Sequence, residues 1–269
     1  MARRTVTALV LLVIVVPAII FGGILYFLLI GFFVGLAAWE MTQMFREADY
    51  QPSAYLSVGG TLAILAVRAF RPDLAELVFT GLILLAMTVH LISYERGRER
   101  AAFDFLFTAG CFVYLGWVGS FLIDLRSLPN GFWWVMFVLP IVWLTDTGAY
   151  SFGARYGRHF MTPRLSPRKS WEGYWAGVFM GTVYGGFFAY AYSTYGPLHV
   201  SILQGLLLGF VLSTVTTLGD LGESMFKRFG AMKDSGNFLP GHGGAFDRID
   251  SLIWGAVIGV YWIRFFFLK

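Results

Sequence analysis

The chain has 269 residues, 57% of them hydrophobic, 18% aromatic and only 13% charged, with a formal net charge of +4. A soluble domain carries about a quarter charged residues, so this composition excludes an ordinary water-soluble globule. The basic excess forms no stripe with interleaved aromatics on a polar face, which excludes nucleic acid as a partner.

Apolar stretches of roughly 20 residues, the length of a membrane-crossing helix, recur from end to end. Broken at Gly, Pro and charge clusters, they predict about nine spans, over 5–21, 24–44, 54–70, 73–93, 101–124, 131–154, 171–194, 199–221 and 251–268. The apolar run over 5–39 is too long for one span, and Pro17 with Gly22-Gly23 marks its break. The Met-Ala-Arg-Arg start is read as leading a retained span, because no small-residue cleavage site follows. The fold class is therefore all-α, a polytopic transmembrane bundle. It is organised as N-terminal membrane helices over 1–100 and C-terminal helices with the chemistry-bearing loops over 101–269. A membrane β-barrel is excluded, since short alternating segments do not dominate.

Placing the N-terminus in the cytoplasm puts 15 of the 20 basic residues on that side, leaving Arg68, Arg71, Arg126, Arg264 and Lys269 outside or near it. Both long polar loops, about 155–170 and 222–250, then face the cytoplasm, where nucleotides are found. Gly173, Gly177, Gly181 and Gly185 recur every fourth residue and form a smooth helix ridge, suited to close packing within the bundle or to a homodimer seam. Cys111, the single cysteine, reads as a small buried hydrophobe.

The chemistry gathers near the C-terminus. If the eighth span continues as helix, Asp220, Ser224 and Lys227 share one face, at i, i+4 and i+7. Glu223 is read as half of a surface pair with Lys227. Lys233 and Asp234 follow, then the turn Pro240-Gly241-His242-Gly243-Gly244, then Asp247, Arg248 and Asp250. Glycines let backbone N–H groups approach phosphate oxygens, and Lys or Arg neutralises them. Asp220 and Asp247 bracket the loop and are the expected ligands of a hard divalent cation such as magnesium. A second cluster holds Asp146 among Thr145, Thr147, Tyr150 and Ser151, followed by Ser166, Arg168 and Lys169, with Ser166-Pro167 read as a turn.

The 27 residues Ser224 to Asp250, with Phe226-Lys227-Arg228, Lys233-Asp234-x-Gly236 and Leu239-Pro240-x-His242-Gly243-Gly244-x-x-Asp247-Arg248-Ile249-Asp250, resemble the motif of the phosphatidate cytidylyltransferases, or CDP-diacylglycerol synthases. Asp146-Thr147-Gly148-Ala149-Tyr150 and Ser166 to Gly173 are similar to that family too, with Ala245, Arg168 and Ser170 as small departures. The resemblance covers roughly the C-terminal half. It implies transfer of CMP from CTP to phosphatidate with release of pyrophosphate, in the cytoplasmic (inner) membrane of a bacterium. It also implies Asp220 and Asp247 on magnesium, with potassium as a possible second ion. Lys227, Arg228, Lys233, Arg248, Lys169 and Ser166 would hold phosphates, and His242 would orient a carboxylate or contact phosphate. Two other readings stay open: a CTP-dependent kinase of a lipid alcohol, and an ion-coupled transporter using Asp146 and Asp220.

Overall fold

The computed structural model describes residues 13–236 and 243–268, and it is all-helical apart from one short hairpin. Six helices among the described residues are long and apolar enough to cross a membrane: Gly23–Glu47, Pro72–Glu95, Ala101–Ser127, Gly131–Tyr156, Ile202–Phe229 and Phe246–Phe266. This is an all-α integral membrane protein. The division expected near residue 100 falls elsewhere. One unit comprises the described residues up to Asp124 together with those from Met225 to Ile249; the other comprises Leu125–Ser224 and the residues from Asp250 on.

In the first unit, residues 13–21 are helical and α1 follows as Gly23–Glu47. The break falls at Gly22-Gly23, where both φ angles are positive (65° and 53°), while Pro17 stands inside the preceding helical stretch. Positive φ is a conformation glycine adopts at little cost. Next come α2 (Ala54–Phe70), capped by the Ser53 hydroxyl accepting from Leu56 N, α3 (Ala75–Glu95) and α4 (Ala101–Cys111). A π-helical stretch, Phe112–Val118, continues α4 and sets the Phe112 ring against Gly60 so closely that a Cβ there would strike it. Several ionised groups inside this unit are paired. The Asp104 carboxylate accepts from Gln51 N (2.7 Å) and Arg98 Nε (2.8 Å), and Arg68 forms an ion pair with Asp124. An aromatic cluster ties the unit's C-terminal segment to its N-terminal helices. Phe45 stacks on Phe107 at 4.1 Å and meets Phe226 and Phe229 edge-on, while Tyr114 contacts Phe226 and Phe246.

The second unit is built on α6 (Gly131–Tyr156), α7 (Trp171–Thr194) and α8 (Ile202–Val215), after the short α5 (Phe121–Ser127) that bridges the two units in sequence. The glycine ridge of α7 is used here. A Cβ on Gly173 would lie 2.6 Å from Ala149 O, one on Gly177 2.8 Å from Thr145 O, and one on Gly185 would strike Gly205 O. Backbones approach this closely only when side chains are absent, which gives helix contact in lipid where the hydrophobic effect supplies none. The face offered for a homodimer seam is thus filled by helices of the same chain. Residues 155–170 are not all loop: β1 (Phe160–Thr162) and β2 (Ser166–Ser170) pair antiparallel around a turn at Pro163–Leu165. Ser166-Pro167 therefore lies in a strand, with the turn just before it at Pro163–Leu165. Ser170 ends the hairpin and caps α7, its hydroxyl accepting from Gly173 N at 3.2 Å. After α8, Thr216 interrupts the helix before α9 (Thr217–Phe229); α10 (Phe246–Phe266) is the final helix.

Candidate active site

The second unit concentrates acids. Asp220 in the first turn of α9, Glu223 one turn on, and Asp250 in α10 bring one oxygen each to within 4.8 Å of one another. Glu223 and Asp250 are buried, at 1% and 7% exposure, and Asp220 is partly exposed. Gly219 permits this approach, because a Cβ there would sit 2.6 Å from Asp250 O. The hairpin delivers the balancing cation. Within β2 Arg168 is exposed while Lys169 is half-buried, and Lys169 Nζ lies 2.6 Å from Asp220 Oδ2. Asp146 and Lys169 are both near enough to act on the charge of Asp250. The Ser224 hydroxyl donates to Asp220 Oδ1 at 3.4 Å, as the i, i+4 spacing predicts.

This donor set fits magnesium. Hard divalent ions of its size take oxygen ligands at about 2.0–2.1 Å, so two oxygens on one ion lie no more than roughly 4 Å apart. A cluster already within 4.8 Å reaches that spacing by side-chain rotation alone. Three carboxylates held together, two of them buried, repel one another unless a cation lies among them.

The first unit treats its acid differently. Asp247, in the first turn of α10, receives Lys227 Nζ on Oδ1 at 2.6 Å. Its Oδ2 accepts from Gly244 N (2.9 Å), Ser235 N (3.2 Å) and the Ser235 hydroxyl (2.9 Å). Gly243 holds φ +79° just before, the conformation that favours glycine in this turn. Asp247 thus ties Lys227, Ser235 and Gly244 together. Asp220 and Asp247, expected from sequence as a metal pair, have different neighbours in the structure. The close triplet is Asp220, Glu223 and Asp250, while Asp247 is engaged by protein donors.

The remaining residues named from sequence fall out as follows. Arg228, Lys233, Asp234 and Arg248 are exposed, with Arg228 donating to Met232 O at 3.4 Å. Ser166 is half-buried at the start of β2. His242 lies outside the described residues. Glu223, expected as half of a surface pair with Lys227, is buried, and Lys227 Nζ lies 2.6 Å from Asp247 Oδ1.

Two residues escaped the sequence reading. Ser235 was a variable position within the motif. Glu40 sits in the apolar run of α1, 4% exposed, and its carboxylate accepts from the Ser235 hydroxyl, Ala245 N and Phe246 N, each at 2.9 Å. The signal that could have found it is a lone acid in a membrane helix, which is costly there and seldom without purpose.

With this geometry in place, comparison with known proteins becomes informative. The profile of the Cytidylyltransferase family matches residues 2–266. The chain belongs to that family. It is 34% identical over 268 residues to a phosphatidate cytidylyltransferase of Staphylococcus epidermidis, covering 94% of this chain and 95% of the relative. It is 33% identical over 261 residues to the protein of that name from Staphylococcus aureus, and 32% over 262 residues to that from Staphylococcus saprophyticus, at the same coverage. The match reaches the N-terminal helices, well beyond the C-terminal motif on which the sequence resemblance rested.

Proposed function

We propose that this chain is a phosphatidate cytidylyltransferase, transferring CMP from CTP to phosphatidate to give CDP-diacylglycerol and pyrophosphate in phospholipid synthesis. The observation that carries it is full-length family membership, with relatives of that name matched over 94% of the chain. A phosphate oxygen of phosphatidate attacks the α-phosphorus of CTP in line, the bond from that phosphorus to the bridging oxygen breaks, and pyrophosphate leaves with the electron pair. The lipid phosphate is itself an adequate nucleophile, so the protein's task is charge neutralisation and alignment.

Asp220, Glu223 and Asp250 would hold magnesium, which when bound supplies positive charge to the phosphate oxygens. Lys169, poised on Asp220, is placed to pass from carboxylate to phosphate when substrate arrives. Lys227, fixed by Asp247 beside the glycine turn, and the exposed Arg228, Lys233 and Arg248 suit the triphosphate and the lipid headgroup. Backbone N–H groups of the turn would add to them. About nine spans with the N-terminus and both polar loops in the cytoplasm is the topology we adopt, in a bacterial inner membrane. It is supported by the basic residues left on the other side: Arg68 pairs with Asp124 and Arg71 with Asp73 at 2.9 Å. A homodimer through the glycine ridge is not part of this reading, because α6 and α8 occupy that face.

Purified protein given CTP, phosphatidate and magnesium should release pyrophosphate and form CDP-lipid, and potassium should raise turnover further. Lipid phosphate with CDP as products would instead establish the lipid-alcohol kinase, and no CTP turnover would favour transport. Asp220→Asn should stay folded and need far more magnesium for residual activity; an unchanged magnesium dependence removes Asp220 from the ligand set.

A further inference from the structure

A buried carboxylate without an obvious duty stands on the first described membrane span. Glu40 accepts three hydrogen bonds, from the Ser235 hydroxyl, Ala245 N and Phe246 N, all at 2.9 Å. The last two donors are the leading amides of α10, which a helix leaves unsatisfied at its start. A negative charge there also meets the positive end of the helix dipole. Ser235 Oγ in turn lies 2.9 Å from both Glu40 Oε2 and Asp247 Oδ2, so its single hydroxyl proton is shared between two carboxylates. Asp247 then holds Lys227. An unbroken chain of contacts runs from α1 through Ser235 to the cation.

The same carboxylate accounts for two glycines of the motif. A Cβ on Gly236 would lie 2.5 Å from Glu40 Oε1 and 2.9 Å from its Cδ, and its three nearest atoms all belong to Glu40. A Cβ on Gly244 would lie 2.5 Å from each Glu40 oxygen and would also strike Ser235 Oγ. Gly236 and Gly244 leave no room for a side chain of their own beside Glu40. Displacing that carboxylate is costly, since it would leave three donors and a buried charge unmatched.

We infer that Glu40 is a positioning residue for nucleotide binding: it fixes Ser235 and the start of α10, and through Asp247 the ammonium of Lys227, in the form that receives the CTP phosphates. This rests on the cytidylyltransferase reading above. The assignment reaches outside the C-terminal motif and gives the first described span a part in substrate affinity.

The test uses full-length protein in detergent or vesicles. Glu40→Gln keeps the size but loses an acceptor and presents an NH2 group to amide donors. It should raise the KM for CTP about 10–100-fold, the cost of losing a partner that orients a binding group. KM for phosphatidate should stay within about twofold, since no lipid contact is removed. A residue that only stabilises the fold would lower the melting temperature and the active fraction while leaving KM for CTP unchanged, and that result overturns the inference. Amide hydrogen exchange at residues 244–247 should accelerate in Glu40→Gln without substrate; exchange equal to wild type also overturns it. Should wild-type protein make no CDP-lipid, the functional reading falls, and the exchange experiment alone decides whether Glu40 orders this segment.

A compensating pair covers poor folding of Glu40→Gln. Gly236→Ala should weaken CTP binding, and Glu40→Asp, one methylene shorter, should restore part of it. A pair no better than Gly236→Ala alone counts against Glu40.

Discussion

Asp247 and Asp250 stand three positions apart on α10, yet one carboxylate is met by Lys227, Gly244 N and both donors of Ser235, while the other crowds against Asp220 and Glu223. The first arrangement is saturated by the protein and holds its shape unaided. The second gathers three carboxylates, with Lys169 on Asp220 and Ser251 N on Asp250, and such a group of acids suits an added cation. Residue type alone does not separate these duties; the neighbours do.

The sharpest way to break the comparison is to neutralise a member of the crowded cluster. Asp250→Asn should cut turnover on the order of 10³-fold, the scale of losing one charge-stabilising group from a preorganised site, with the melting temperature held or raised. Steady-state rates with a melting curve check it, and near-normal turnover would remove Asp250 from the site. Lys169→Met should follow, with kcat/KM for CTP lower by about 10²-fold and little change in fold. If Lys169 serves only to balance Asp220, Asp220→Asn would make the lysine change silent.

Packing is the next test. Gly185→Ala places a methyl against Gly205 O and should cost about 1–3 kcal/mol by overpacking, read as a lower melting temperature with kcat unchanged in the folded fraction. The smallest effect belongs to Arg168→Ala. Its side chain points to solvent from β2, so turnover should change by less than about fivefold, most visibly at low salt. A loss as large as that for Lys169 would mean exposure does not sort these two neighbours.

Much of the architecture was legible because lipid imposes simple rules. Apolar length located helices in each expected stretch that the structure describes, and the fourfold glycine spacing announced close packing. Spacing also foretold the Ser224–Asp220 contact, since both lie on one helix. What escaped depended on contacts across long sequence separation. Glu40 meets residues about two hundred positions away, so an acid in a membrane helix could be noticed locally but its partners could not. Glu223 was assigned to water because a Glu and a Lys four residues apart form a familiar surface pair. The hairpin before α7 was hidden by Ser166-Pro167, a turn-like dipeptide that an edge strand tolerates at its start.

The glycine contacts of α7 bear on how the protein comes apart. Interfaces made by bare backbone rely on dispersion between atoms already at contact distance, and detergent has little to offer in exchange. The α6–α7–α8 trio should therefore outlast the N-terminal helices as heat or harsher surfactant is applied, and should be recovered as the protease-resistant remnant.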